Sequence, residues 1–188
     1  MTSLSTTPAL AELTGTWTID PTHSRIGFVA RHAMVTKVRG SFNEFEGTAV
    51  LDGENPAASS AQLVITATSI DTRNAQRDEH LRSNDFFAMD EHPTITFVST
   101  GVEQVGDDEF TLAGDLTLRG VTRPVRVPFT FEGVATDPFG NLRAGFEGSI
   151  VVNRKDWGIS WNAGLETGGV LVGEKVTLEF EISAIKNA

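Results

Sequence analysis

Apolar and polar residues alternate at every second position over most of this 188-residue chain. The clearest stripe is Val125, Val127, Phe129 and Phe131. Phe110, Leu112, Leu116 and Leu118 form another, and Phe146, Ile150 and Val152 a third. The chain closes with Val176, Leu178, Phe180 and Ile182 set against Thr177, Glu179 and Glu181. A period of two is the signature of a β-strand with one face toward an apolar interior. Earlier strands are predicted around Ile26 and Phe28, around Leu63 and Ile65, and after Pro93 around Ile95 and Phe97. Phe42 and Phe45 fall out of step with one another, which predicts a bulge at Asn43 or Glu44. Turns are expected at 52–56, 106–108, 119–120 and 137–141, where Gly, Asp, Asn and Pro cluster. Short links between strands favour antiparallel neighbours.

One segment breaks the alternation. Residues 69–87 are rich in charge and read as a short helix followed by a second turn. Asp71 or Thr72 is the expected N-cap, with Arg82 near the C-terminal end. Phe86, Phe87 and Met89 then form a greasy plug. Together these features predict an all-β fold: an antiparallel barrel of about eight strands, with a short α-helical insertion closing one end. Gly27, Gly114, Gly133 and Gly148 lie in line with strands. They either bend the strands or leave room inside for a guest. The expected organisation is a flexible leader at 1–15 and one barrel domain at 16–188.

Composition narrows the function. Fifteen basic against 25 acidic residues leave a formal charge of -10. That surface repels phosphate backbones and anionic lipid surfaces, so neither nucleic acid nor a charged membrane face is an expected partner. The chain has no cysteine, which excludes a disulfide, a thiolate nucleophile and a cysteine-based zinc site. Four widely spaced histidines (His23, His32, His80 and His92) make no metal motif. No run reaches the roughly 20 apolar residues of a membrane span. The first 15 residues lack the basic and apolar regions of a secretory signal, and a cytoplasmic location is expected.

Five spaced segments carry a resemblance. They are residues 17–28, opening Trp-Thr-Ile-Asp-Pro, then 69–87, 93–97, 114–125 and 153–158, the last reading Asn-Arg-Lys-Asp-Trp-Gly. In this order they resemble the YceI-like family of polyisoprenoid-binding, lipocalin-like proteins, over roughly Trp17 to Ile182. The resemblance implies an extended antiparallel barrel with an apolar tunnel. It implies a guest that is a long amphipathic lipid: a polyprenyl chain, an isoprenoid quinone or a fatty amide. It further implies pairing as homodimers and no catalytic chemistry, and no cofactor beyond the bound lipid. Many relatives are exported, a feature not matched by the leader read above.

The candidate ligand-binding residues divide into tail and head sites. For the tail, the inward stripes nominate Ile26, Phe28, Met34, Phe42, Leu63, Ile65, Phe97, Leu112, Leu116, Phe129, Phe131, Phe146 and Ile150, with Phe86 at the plug. Each CH₂ withdrawn from water contributes roughly 0.8 kcal/mol. The same residues also serve simply as core. For the head, Arg77, His80 and Arg154 supply donors, and Trp157 covers the rim. The alternative is that Arg77 with Asp78, and Arg154 with Asp156, are ion pairs locking loops to the barrel. His32 shares parity with Phe28 and either meets the head group or is a satisfied rim histidine. Two other functions stand beside lipid binding. One is a hydrolase or isomerase using His23 or His80 with a nearby Asp, and the other is a ligand-free dimeric interaction module.

Overall fold

The computed structural model describes residues 10–165 and 169–188. Among these residues eleven strands are present: β1 (Gly15–Ile19), β2 (Arg25–His32), β3 (Thr36–Phe42), β4 (Phe45–Leu51), β5 (Ser60–Thr66), β6 (Ile70–Asp71), β7 (Thr94–Gln104), β8 (Glu109–Leu118), β9 (Val121–Thr136), β10 (Leu142–Asn153) and β11 (Val172–Lys186). The first six are three long strands, each broken once. Pro21–His23 interrupts the first, Asn43 and Glu44 the second, and Ala67–Ser69 the third. Counted this way, eight antiparallel strands run up and down in chain order. β11 returns to pair with both β1 and β2 and closes the barrel.

The breaks have local causes. Pro21 has no N–H for a ladder, and the Asp20 carboxylate accepts the Thr22 amide to start a tight turn. At Asn43 the expected bulge is a full break. It lets Phe42 and Phe45 both face inward. Arg119 and Gly120 each have positive φ, the requirement of a two-residue hairpin turn between β8 and β9.

The barrel has two different ends. At the turn end lie the β4–β5, β7–β8 and β9–β10 connections and both ends of the described chain. Leu10 and Leu13 pack there against Trp17, which is 0% exposed and donates its indole N–H to the Leu13 carbonyl at 2.7 Å. Within the leader expected at 1–15, Leu10 and Leu13 join this apolar cluster. Residues 1–9 lie outside the described residues. At the plug end stands α1 (Ala75–Arg82), followed by the turns that present Phe86, Phe87 and Met89. Its N-cap is Asn74, whose side chain accepts the Arg77 amide at 2.9 Å. Asp71 comes too early to cap it, since it is paired with Ser41 in β6 and instead accepts the Arg73 amide. Thr72 is buried and donates to Asp78 inside the helix. The connection from β10 to β11 finishes this end.

Candidate ligand-binding lumen

The interior is not filled. A cavity of about 370 Å³ runs from Leu10, Leu13 and Trp17 at the turn end to Phe86, Phe87 and Trp157 at the plug. Its volume falls within the roughly 300–1,000 Å³ of ligand cavities. The wall is almost wholly apolar along its length. Polar residues border it mainly at the turn end, among them Thr48, Ser59, Ser60 and Gln62.

Glycine positions explain how the centre stays open. A Cβ on Gly40 would sit 2.4 Å from the Phe28 ring, and one on Gly114 would sit 2.3 Å from the Phe97 ring. The Phe180 ring lies against Gly148 in the same way, at 2.7 Å. Three inward phenylalanines thus fold flat onto glycines of the neighbouring strand instead of projecting to the axis. The inward glycines provide seats for rings, and the rings leave the axis free. Gly27 faces the other way, toward the Arg25 guanidinium outside the wall.

Most of the predicted tail residues border the lumen. Ile26, Phe28, Phe42, Leu63, Ile65 and Phe86 do so from the first strands and the plug. Phe97, Leu112, Leu116, Phe129, Phe146 and Ile150 do so from the rest of the wall. Three do not. Phe131 is buried in the turn-end cluster against Phe146 and does not reach the cavity. Met34 is 60% exposed and His32 is exposed as well. β2 reaches the rim at Ala30, so His32 keeps the inward parity but lies beyond the cavity. Met34 sits in the following turn at positive φ, with its sulfur against Gly169.

The head-group candidates separate sharply. Arg154 borders the lumen, is 5% exposed and, among the described residues, faces no carboxylate at hydrogen-bond distance. Its Nε donates to the Gly173 carbonyl at 2.9 Å, Nη1 to Ile159 at 2.7 Å and Nη2 to Val172 at 3.3 Å. Burial pushes its pKa down, against the pull of Glu174, which is itself paired with Lys155. Among the described residues three of five guanidinium N–H groups are engaged. Trp157 borders the lumen beside it and donates its indole N–H to the Leu116 carbonyl at 2.9 Å.

Arg77 and His80 do not border the lumen. The Arg77 guanidinium grips Thr72, through Oγ1 and the carbonyl, both at 2.7 Å. His80 lies 2.8 Å from the Asp85 carboxylate, with its ring edge-on to Phe86 and Trp161. Neither expected ion pair forms: Arg77 and Asp78 both converge on Thr72, and Arg154 holds carbonyls. Both arginines do lock loops, by a different bond from the one expected. His23 lies 2.7 Å from the Asp20 carboxylate, at the turn between β1 and β2 and outside the lumen. Among the described residues no group of three His, Asp or Glu side chains is placed to hold a metal, and no helix is long and apolar enough to cross a membrane.

The YceI-like domain matches residues 17–184. The chain belongs to the YceI-like family. A UPF0312 protein of Pectobacterium atrosepticum is 42% identical over 142 residues, covering 76% of this chain and 73% of that protein. A UPF0312 protein of Pseudomonas aeruginosa is also 42% identical, over 76% of this chain and 74% of its own. Among solved structures, Burkholderia cenocepacia BcnA superposes with a TM-score of 0.78 at 23% identity, over 88% of this chain and 98% of that one. A polyisoprenoid-binding domain from Saccharophagus degradans superposes with a TM-score of 0.70 at 18% identity, over 91% and 98%. These two structures share the YceI-like fold with the present chain.

Proposed function

We propose that this YceI-like protein binds and sequesters or carries a long amphipathic isoprenoid-type lipid: a polyprenyl chain, an isoprenoid quinone or a fatty amide. The observation that carries the reading is the continuous apolar lumen with Arg154, the single buried cation among the described residues, at its plug end. A hydrocarbon tail gains by leaving water along the whole wall. A carbonyl, hydroxyl or phosphate head gains a charge-assisted hydrogen bond at Arg154. The fold shared with a polyisoprenoid-binding domain supports the same reading. A hydrolase or isomerase needs a base against the guest, and His23 and His80 both face carboxylates away from the lumen. A ligand-free module needs no cavity of this size.

Native mass spectrometry of protein purified without delipidation tests the proposal. The expected result is an added mass that organic extraction removes and identifies as an isoprenoid or long-chain lipid. Gly114→Leu should reduce that occupancy, because the new side chain drives the Phe97 ring into the lumen. Bare protein from every expression condition, with no uptake of added polyprenol or quinone, overturns it.

A further inference from the structure

The ladder between β9 and β10 is incomplete. It runs from Leu142 opposite Thr136 to Gly148 opposite Phe129 and stops there. Beyond that point β9 continues to pair with β8 as far as Val121, and β10 with β11 as far as Asn153. The edges that would face each other, Val121–Pro128 and Ser149–Asn153, share no backbone pairing among the described residues.

The sequence explains the gap. Pro124 and Pro128 stand in β9 opposite Asp115 and Thr111 of an unbroken β8 ladder. A proline cannot donate to that ladder. These positions must therefore be the ones whose backbone points toward β10. Two donors that β10 would need are missing from the same edge. Gly148 marks the last close approach, with the Pro128 carbonyl 2.5 Å from where its Cβ would be.

The gap lies between two cavities. Outside the wall, a crevice of about 580 Å³ is bordered by Pro128, Thr130, Glu147 and Ser149. It is also bordered by Phe110, Phe129, Glu179 and Phe180, residues that border the lumen as well. Inside, Val125 and Val127 line the lumen from one lip of the seam, and Ile150 and Val152 from the other. Only the residues of this stretch of wall, three of them phenylalanines, stand between inside and outside next to the place where the backbone ladder ends. The two barrel ends carry packed apolar clusters instead: Leu10, Leu13 and Trp17 at one, Phe87, Met89 and Trp157 at the other.

We propose that the β9–β10 seam is a lateral portal through which a lipid tail enters and leaves the lumen. Passage there needs rotation of side chains and a spreading of two strands that share no hydrogen bonds. Passage at either end needs a packed element to unfold locally. This inference rests on the lipid-binding reading of the lumen.

The chain has no cysteine, so a pair can be introduced cleanly. Arg126→Cys with Val151→Cys places thiols on the outer face of the two lips, where a short bifunctional thiol reagent can tie them. Val64→Cys with Thr96→Cys, directly opposite in the β5–β7 ladder and not bordering the lumen, is the control. Stopped-flow uptake of the neutral fluorophore N-phenyl-1-naphthylamine is the readout. A neutral probe is required because Glu132, Glu147, Glu179 and Glu181 border the crevice. The expected result is uptake and release slowed at least about tenfold by the seam tie and unchanged by the control tie. Pro124→Val with Pro128→Val restores the missing donors and should slow uptake without any reagent. Unchanged rates in the tied seam and in the proline variant, or equal slowing by both ties, overturn the portal. An untied wild-type protein that takes up no probe overturns the lipid-binding reading itself, and the portal with it.

Discussion

The two ends of the barrel are held by arginines that work in opposite ways. At the turn end Arg143 bridges two carboxylates, Asp20 and Asp137, each at 2.8 Å, and joins the β1–β2 break to the β9–β10 turn. At the plug end the arginines hold main-chain carbonyls. Arg82 donates to Thr68, Arg119 to Gly158 and Asn84, Arg123 to Asp156, and Arg154 to Ile159, Val172 and Gly173. The turn end has short hairpins whose amides are largely satisfied by the ladders. The plug end is irregular chain, and irregular chain leaves carbonyls without ladder partners. A guanidinium with five donors is the economical way to collect them. The difference predicts that the plug end depends on arginine geometry and the turn end on carboxylate charge.

Arg154 gives the largest test of that contrast. Arg154→Met keeps the length of the side chain but leaves three carbonyls at the lumen rim without their donor. The expected loss is about 3 kcal/mol or more, read as a drop of roughly 6–12 °C in melting temperature. Arg154→Lys should recover less than half, because one ammonium cannot reach three carbonyls in a fork. A methionine variant that melts like the wild type would mean that these carbonyls find other partners and that the contrast is false.

The pattern of side chains made the wall legible and left its limits hidden. Val125 through Phe131 alternate cleanly, so β9 could be read as a strand with an inner face. The phase slip between Phe42 and Phe45 was enough to find the break between β3 and β4. Phe86, Phe87 and Met89 were readable as a plug because a greasy cluster after a charged helix has nowhere else to go. Parity, however, gives the side of the wall and not its height. His32 and Met34 continued the inward register past the rim, and Phe131 continued it into the packed floor. Arg77 and Arg154 each stand next to an acid in the chain, which suggested ion pairs. Their true partners are the hydroxyl and carbonyl of Thr72 and the carbonyls of Ile159 and the first two residues of β11, and no residue type signals a free carbonyl. The seats at Gly40, Gly114 and Gly148 depend on which ring lies opposite or diagonally across, which only the register between strands decides. Pro124 and Pro128 were a visible signal for the β9–β10 gap, since each deletes a donor wherever it falls.

Acid should separate the two ends next. At Asp20 the Arg143 guanidinium, then the Thr22 hydroxyl, hold the carboxyl far below the usual carboxylate range. At Asp137 burial raises the pKa, but Arg143 and the amides of Asn141 and Phe139 outweigh it and hold it at about 2. Both carboxyls have folded pKa values below their unfolded value of about 3.9, so their contribution is full above that value and is lost as pH falls through the folded values. Asp71 and Glu174, nearer the plug, are also held low, by the Arg73 amide and by Lys155. Asp20 and Asp137 are the larger depressions. The melting temperature should hold level from pH 7 to about 5 and fall from about pH 4 downward. Arg143→Met should melt a few degrees lower at neutral pH and fall less steeply in acid. Parallel acid profiles for variant and wild type would remove the charge clamp from the account of the turn end.

The smallest expected effect lies in the plug helix. Asn74 caps an eight-residue helix whose only buried side chain is Asp78. Such a helix has little packing to support it and leans on its cap. Asn74→Ala should cost about 1 kcal/mol, a fall of roughly 2–4 °C in melting temperature, and should speed amide exchange across residues 75–82. The seal of the lumen, however, comes from Phe86 and Phe87, which follow the helix and are fixed by their own turns. The Phe87 amide reaches the Leu81 carbonyl and the Met89 amide the Arg82 carbonyl, so the plug is tied to the last turn of the helix and not to its first. Lipid occupancy should therefore be unchanged when the cap is lost. A variant that frays at Ala75 and also loses its guest would show that the helix N-terminus, and not only its last turn, holds the plug in place.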